Sequence, residues 1–538
     1  MQRIELDNFR VFGFPASFDL APVTVLTGKN NSGKSSLIKA FLVLADYLEQ
    51  DDQTVLRLDG PRAAKHRIGS FNDLRNWESS SNVVTLICQS RAFVFSFSFV
   101  EYQTGGPIGL REFALSIANA KGELRLAQLT DEERNLLKLE EPYHAFRLHL
   151  DQLMLETLLG PKAPWLAQAV QLRFEADQAR QLHTDQEARL AMAEELLSQF
   201  PGLDIDIVAN EYEHEKAQLQ QLREKARQAS AAAAGHEQPA PDTAYRGVVY
   251  LSDTHRLRRK LPELIAQGLG RGFVEATSLV APSPLVQQPG NELVRNIERE
   301  LFDLLAVPIH HLGVNRMHQA RLYMIGEKKS EINTVAEAYL RLDAAGGSKN
   351  HFLQHWANRF ELGTNARIQV YANTAINIAV QRKGKRVNLV DMGFGAGQLL
   401  TVLFQIAYLI EMQAQAGMTA VKPIILIEEP EANLHPQLQS QLAELFTETA
   451  QRYGLHFVLE THSEYLIRKL QLLVATQRCA GSDVALYYLD ENSQRHIQIS
   501  PDGKLSEAFG SGFFDEAGEE SLALLRVQRQ MKQTQSAA

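Results

Sequence analysis

The chain has 538 residues, 45% of them hydrophobic, and 64 acidic against 55 basic side chains give a net charge of −9. That balance argues against a broadly basic nucleic-acid coat, although a local basic groove is compatible with it. Two cysteines, Cys88 and Cys479, exclude a disulfide framework and a cysteine zinc site, and they suit a reducing cytoplasm. No signal peptide is expected, because residues 1–10 already alternate as a strand. The most apolar helix, at 399–412, is interrupted by Gln405 and Glu411. It falls short of the roughly 20 residues a membrane span requires, so no membrane partner is expected.

In chain order, residues 3–10 (RIELDNFR) and a second stretch near 17–20 read as a hairpin leading into an apolar run at 23–26. That run reads as a buried strand. Gly28, Lys29, Asn30, Asn31, Ser32, Gly33, Lys34 and Ser35 then fit G-x-x-x-x-G-K-[ST] without a mismatch. Ser36 follows, and the helical period continues through residue 45. Strand, glycine-bracketed loop and helix make a phosphate cradle, with backbone N–H groups and the positive helix end aimed at one anion. In that cradle Lys34 reaches the β- and γ-phosphates of ATP, and the Ser35 hydroxyl ligates Mg²⁺.

The I-x-L-x-N-F-R opening ahead of such a loop resembles the RecF/SMC/OLD group of ABC-type ATPases. Residues 69–74 (GSFNDL) resemble a segment of bacterial OLD-like ATPases. The glutamine that senses the γ-phosphate in this region of ABC ATPases has no obvious counterpart. Residues 83–88 and 92–100 read as strands. From 131 to 229 the composition turns helical, and two stretches, 187–197 and 211–227, suit either a projecting antiparallel hairpin or an amphipathic pair lying on the body. Residues 229–242 (ASAAAAGHEQPAPD) read as a low-complexity linker, and 247–251 as a strand. His311-Leu312-Gly313-Val314-Asn315-Arg316, with Arg321 and Tyr323, resembles a YLGPLR…R-x-Y segment of the same group, departing from it at Val314-Asn315. Arg316 and Arg321 could meet phosphate or a neighbouring subunit, or be solvated or salt-bridged.

Three later motifs complete the pattern. Gly393-Phe394-Gly395-Ala396-Gly397-Gln398 opens an apolar helix and is a candidate anion-binding helix terminus. It resembles the ABC signature in its OLD-like form, which implies that Gly395, Ala396, Gly397 and Gln398 meet the γ-phosphate of ATP held by the opposite subunit. Residues 424–431 (IILIEEPE) describe a buried parallel strand ending in acids, where ligands bind in α/β sheets. Glu428 is the candidate Mg²⁺ ligand, through water, and Glu429 the general base. Asn433-Leu434-His435-Pro436 resembles the D-loop that crosses the dimer interface. Residues 457–463 (FVLETHS) follow as another strand, and His462 fits the switch histidine that hydrogen-bonds the γ-phosphate.

The resulting fold class is α/β: an ABC-type P-loop ATPase head with a β-rich N-terminal lobe and a helical, short coiled-coil-like insertion. The expected domains are 1–130 with the phosphate loop, 131–245 with the insertion and linker, and 246–538 with signature, acidic strand and switch histidine. The resemblance implies catalysis by Lys34, Glu429 and His462 across a homodimer, with a higher homo-oligomer also compatible. After His462 no metal-binding acid set of TOPRIM type is found; Asp490-Glu491 sits at a turn. The end of the chain resembles stand-alone OLD-like ATPases, including those of two-component anti-phage systems of the Septu and PARIS kind. This implies a cytoplasmic sensor or regulatory ATPase that holds or activates a separate effector nuclease of HNH or TOPRIM type. The alternative is a RecF-like repair ATPase that clamps DNA directly.

Overall fold

The computed structural model describes residues 1–129, 145–150, 245–250, 307–416 and 422–537. Within those spans 51, 67, 91–92, 104, 118–122, 315, 317–319, 328–329, 344–350, 491–492 and 511–512 are excepted. The helical stretches expected at 187–197 and 211–227 and the linker at 229–242 lie outside the described residues. The chain divides into two compact units: Met1–Ala45, Pro61–Ser80 and Ala306–Ala538 form one, and Asp46–Gly60 with Ser81–Leu305 the other.

The second unit is an antiparallel meander. Strands Val83–Gln89, Phe93–Glu101, Ile108–Ile117, Glu123–Gln128, Ala145–Leu150 and Tyr245–Tyr250 pair in succession. Strict alternation, as in FVFSFSFVE, turns Phe93, Phe95, Phe97 and Phe99 to one buried face. Tyr47 closes edge-on against Phe97 and Phe99. Ala145–Leu150 differs from the helical reading of its region: AFRLHL carries a period of two, and neighbours on both sides pair with it. Tertiary pairing decides such short segments.

The first unit carries the chemistry. A hairpin of β1 (Arg3–Asp7) and β2 (Ala16–Asp19) leads into β3 (Val23–Gly28), every residue of which is buried. The glycine loop follows, and α1 (Lys34–Glu49) begins inside the motif, at Lys34. Later come β4 (Ile309–Leu312), α2 (Glu331–Asp343) and α3 (His351–Arg359). A small antiparallel sheet holds β5 (Tyr323–Met324), β6 (Thr364–Tyr371), β7 (Ala375–Arg382) and β8 (Lys385–Asn388). The remaining elements are α4 (Phe394–Ala416), β9 (Ile424–Glu428), α5 (Pro436–Tyr453), β10 (His456–Glu460), α6 (Glu464–Ala475), β11 (Val484–Asp490), β12 (Ser493–Ile497) and α7 (Glu516–Ala537).

The central sheet has six strands in the order β4-β9-β10-β3-β11-β12, parallel except for the last pair. Continuous apolar runs such as IILI in β9 suit strands covered on both faces. Leu400 and Phe404 of α4, Phe446 of α5 and Leu466 of α6 share one core with Ile425 and Leu459 of the sheet. Glu444 of α5 is buried and gathers Arg359 of α3, Lys469 of α6 and Arg478. Three cations on one carboxylate compensate a burial that a single charge would resist.

Helix α4 is longer than expected at both ends. It starts at Phe394 and spans 23 residues, because Gly395 and Gly397 adopt helical backbone instead of ending a loop. By length and composition alone Phe394–Gln415 could cross a membrane, but 67% of its apolar 18-residue window is buried inside the fold. It is the central core helix of this unit.

The loop between β3 and α1 needs glycine for two reasons. Gly28 has φ +127°, and a Cβ there would lie 1.9 Å from the Leu489 carbonyl oxygen of neighbouring β11. Gly28→Ala must therefore strain the backbone and separate two paired strands, at a cost of about 2–4 kcal/mol. A urea-unfolding midpoint unchanged from the parent would contradict this.

Candidate functional site

The parallel register places the site at one edge of the central sheet. Glu428 and Glu460 are aligned neighbours on β9 and β10, and Gly28 ends β3 beside them. Chains leaving parallel strands at this edge can present side chains and helix N-termini to one ligand. The loop that follows β3 folds over its own lysine. Lys34 is 3% exposed, and its Nζ donates to the carbonyl oxygens of Gly28 at 3.1 Å and Lys29 at 2.5 Å. Burial lowers the Lys34 pKa, while the charges of Glu460 and Glu429 oppose that shift. Ser32 Oγ donates to the Lys29 carbonyl oxygen at 2.7 Å and Asn31 sits at φ +62°, which shapes the loop before any phosphate arrives. Lys29 reaches outward to Asp490 at 3.4 Å.

Sequence reasoning missed Glu460. The Ser35 hydroxyl, the expected Mg²⁺ ligand, lies 3.0 Å from both Glu460 carboxylate oxygens. Burial pushes the Glu460 carboxyl up to about 7, partly offset by the Ser35 hydrogen bond, while Glu428 adds a like charge. The available signal was an acid two residues before His462, at the end of an otherwise apolar strand. Ser35, Glu460 and Glu428 offer hard oxygen donors, so the residues fit a magnesium ion accompanying a nucleotide triphosphate.

Glu428 is engaged elsewhere. His311 Nε2 lies 2.8 Å from Glu428 Oε1, and His311 Nδ1 lies 3.2 Å from His66 Nε2. Burial raises the Glu428 pKa, but His311, His66 and Lys39 outweigh it and leave the carboxyl below its usual range. Burial and the neighbouring His311 bring His66 down to about 4, so its ring is neutral at physiological pH.

Glu429 begins the turn after β9 at φ +43°, a left-handed conformation that costs a non-glycine residue roughly 1–2 kcal/mol. The turn is held from both sides. Glu429 N–H donates to the Glu460 carbonyl at 2.7 Å, and Arg316 Nη2 donates to the Glu429 carbonyl at 2.6 Å. Arg316 is fully buried; its Nη1 also donates to the carbonyls of Glu428 at 2.7 Å and Gly313 at 2.8 Å, and its Nη2 reaches Gln398 Oε1 at 3.4 Å. It is therefore not solvated: backbone carbonyls and Gln398 hold its two terminal nitrogens, while its Nε is buried without a hydrogen-bond partner among the described residues. Arg321, by contrast, is salt-bridged to Asp391 at the surface.

His462 is exposed at the end of β10, and its N–H donates to buried Glu431 at 2.7 Å. Partial desolvation lowers the His462 pKa and the Lys34 charge lowers it further, against the pull of Glu429. Lys34, Glu429, Glu460 and His462 thus share one electrostatic neighbourhood.

The glycine-rich start of α4 lies in a different place. With Phe360, Arg382, Asn433 and His435, Gly395 and Ala396 line a groove of 390 Å³ whose lining includes no residue from 28–36. Gly395 is needed there, since a Cβ would come within 2.5 Å of the Asn433 carbonyl oxygen. Gly397 and Gln398 are buried, and Gln398 joins the acidic strand through Arg316.

This is a P-loop ATPase fold, and comparison with known proteins agrees at that level. An AAA ATPase domain family model matches residues 292–467, and a model described as "AAA domain, putative AbiEii toxin, Type IV TA system" matches residues 23–84. No curated protein matches the chain. Similar solved structures include an Smc head domain with an extended coiled coil, bound to the C-terminal domain of ScpA, from Pyrococcus furiosus (12% identity, TM-score 0.31, 98% of this chain and 99% of that one). The SMC head domain from Thermotoga maritima is 9% identical with a TM-score of 0.32, over 93% of this chain and 98% of that one. At these TM-scores the likeness supports nothing beyond itself.

The Glu460 carboxyl gives the site a pH signature. Its folded value of about 7 lies above the ordinary 4.5, so the folded chain binds this proton more tightly than the unfolded chain. The associated stability is fully present below pH 4.5 and is lost as pH rises through about 7, to an extent of about 3 kcal/mol. Glu460→Gln should gain on the parent in urea unfolding at pH 8, without nucleotide, and lose that advantage towards pH 5. Parallel curves for the two proteins across this range would refute the assignment.

Proposed function

We propose that the chain binds ATP with Mg²⁺ in the Gly28–Ser36 cradle and hydrolyses it across two copies of itself. The supporting observation is the convergence of Lys34, Ser35, Glu429, Glu460 and His462 around one sheet edge, with the glycine-rich start of α4 lining a separate groove. In this reading a second copy related by a two-fold axis would supply Gly395, Ala396 and the backbone around Gly397 to the far side of the γ-phosphate. Gln398, being buried on Arg316, would act from behind that surface by fixing it to the acidic strand.

Each residue then has a defined task. Lys34 exchanges its loop carbonyls for phosphate oxygens, the backbone N–H groups of residues 29–36 cradle the β-phosphate, and His462 hydrogen-bonds the γ-phosphate. Glu429, held at its strained turn, accepts the proton of the attacking water. Ser35 and Glu428, with Glu460 beside them, would hold Mg²⁺, whose contribution would be to offset the negative charge of the triphosphate.

The cellular task is a regulatory one: an ATPase that holds or activates a separate effector nuclease of HNH or TOPRIM type in phage defence, in the cytoplasm. Two things support this reading. One is the resemblance to stand-alone OLD-like ATPases; the other is the toxin–antitoxin wording attached to the family model that matches residues 23–84. Co-purification with the product of a neighbouring nuclease gene tests it. DNA-stimulated turnover by the purified chain alone, falling steeply with salt, would favour the DNA-clamping alternative.

Glu429→Gln should bind a fluorescent ATP analogue as the parent does, lower turnover by 10² or more, and elute as a dimer with ATP. Lys34→Ala should lose nucleotide binding itself. Parental turnover by Glu429→Gln would remove Glu429 from the role of base, and a monomer under all nucleotide conditions would remove the shared site.

A further inference from the structure

His66, His311 and Glu428 come from three separated parts of the first unit: the segment after the short helix Pro61–Lys65, the strand β4, and the end of β9. Each can offer one ligand atom, and the three atoms lie within 4.8 Å of one another. All three residues are half-buried. We propose that these three side chains form a binding site for a transition-metal dication, of which zinc is the simplest example.

The chemistry of the donors favours this class of ion. Two imidazoles and one carboxylate suit zinc, cobalt or manganese, whereas magnesium and calcium take all-oxygen sets. The geometry agrees for the nitrogen pair. Two ligands bound at about 2.0–2.1 Å in a tetrahedron stand about 3.3 Å apart, and the His66 Nε2 and His311 Nδ1 atoms are 3.2 Å apart. On the far side of the ring, His311 Nε2 lies 2.8 Å from Glu428 Oε1, the arrangement by which carboxylates commonly orient a metal-bound imidazole. Glu428 thus acts on the ion through the His311 ring, which leaves its carboxylate available to the nucleotide edge of the sheet. The two protein nitrogens leave the remaining positions to water or an incoming oxygen.

The surrounding charges permit a cation. Lys39 and Lys65 are the cations felt by His66, and Lys65 is already paired with Glu331. Because Glu428 also borders the phosphate loop, an ion held here would tie the His66 segment to the nucleotide edge of the sheet. The site itself does not depend on the ATPase reading, so it can be tested without nucleotide.

The full-length chain, stripped with EDTA and dialysed, is titrated with zinc chloride by calorimetry, with magnesium chloride as the control. The expected result is one zinc per chain, with no comparable magnesium isotherm, and at least tenfold weaker zinc binding in His66→Ala and in His311→Gln. X-ray absorption at the zinc edge should show two imidazole nitrogens in the parent. His66→Ala guards against misfolding because His66 lies outside the sheet; its circular dichroism and its affinity for a fluorescent ATP analogue should match the parent. If the parent binds no more zinc than His66→Ala, the three residues form only a hydrogen-bonded chain and the proposal is overturned. Zinc binding that is lost in His66→Ala by a parent unable to bind nucleotide would sink the ATPase reading and leave the metal site standing.

Discussion

The structure depends on keeping one buried ammonium charged at the end of a parallel sheet. Lys34 has almost no contact with water, and desolvation alone would disfavour its charge by several kcal/mol. Two loop carbonyls and the fields of Glu460 and Glu429 oppose that tendency. Burial first, and the neighbouring charges of Glu428 and Glu429 second, make Glu460 hold its proton to about pH 7. An anion bound at Lys34 and a cation bound at the acids would relieve both tensions together. This gives a physical reason for the site to take a phosphate and a divalent ion as a pair.

Strain is concentrated at the same edge. Glu429 occupies a left-handed conformation, Gly28 and Gly33 take positive φ angles, and Arg316 is buried without a carboxylate bonded to its guanidinium. Arg316 is the compensating device. It donates to three carbonyls and to Gln398, fixing the turn that aims Glu429 and joining that turn to α4. A change in the angle of α4 would therefore be felt at Glu429 through one side chain. Because packed elements shift between discrete arrangements more readily than they deform, this linkage suits the proposed cycle, in which a partner's phosphate would meet α4.

Much of this was legible from residue order. The phosphate loop, the strand of acids and the histidine at the end of β10 announce themselves because their backbone requirements are local: glycine where φ is positive, apolar runs where strands are buried on both faces. Glu460 was missed because its partner, Ser35, comes from the far end of the chain, and register alone brings them together. His66 and His311 were missed as a pair because 245 positions separate them in the chain. For Arg316 phosphate, a neighbouring subunit, solvent and a salt bridge all stayed open, since arginine is seldom fully buried; only the tertiary fold reveals the carbonyls around it. The start of α4 was misplaced because glycine ordinarily punctuates helices, while here the approach of the Asn433 backbone makes glycine necessary inside the first turn.

The two glycine-rich elements of this chain answer different demands. At Gly28 the neighbour is the backbone of β11 within the same sheet, so the glycine serves the fold. At Gly395 the neighbour is the backbone of the Asn433 turn, and the two together leave an open groove with Phe394 exposed at its rim. A close-packed glycine beside an exposed aromatic at a helix start is costly for a surface that meets only water. It becomes economical when another backbone or a phosphate must approach closely. The physical case for a shared site therefore rests more on this unfilled groove than on the phosphate loop, which by itself would serve a monomer equally well.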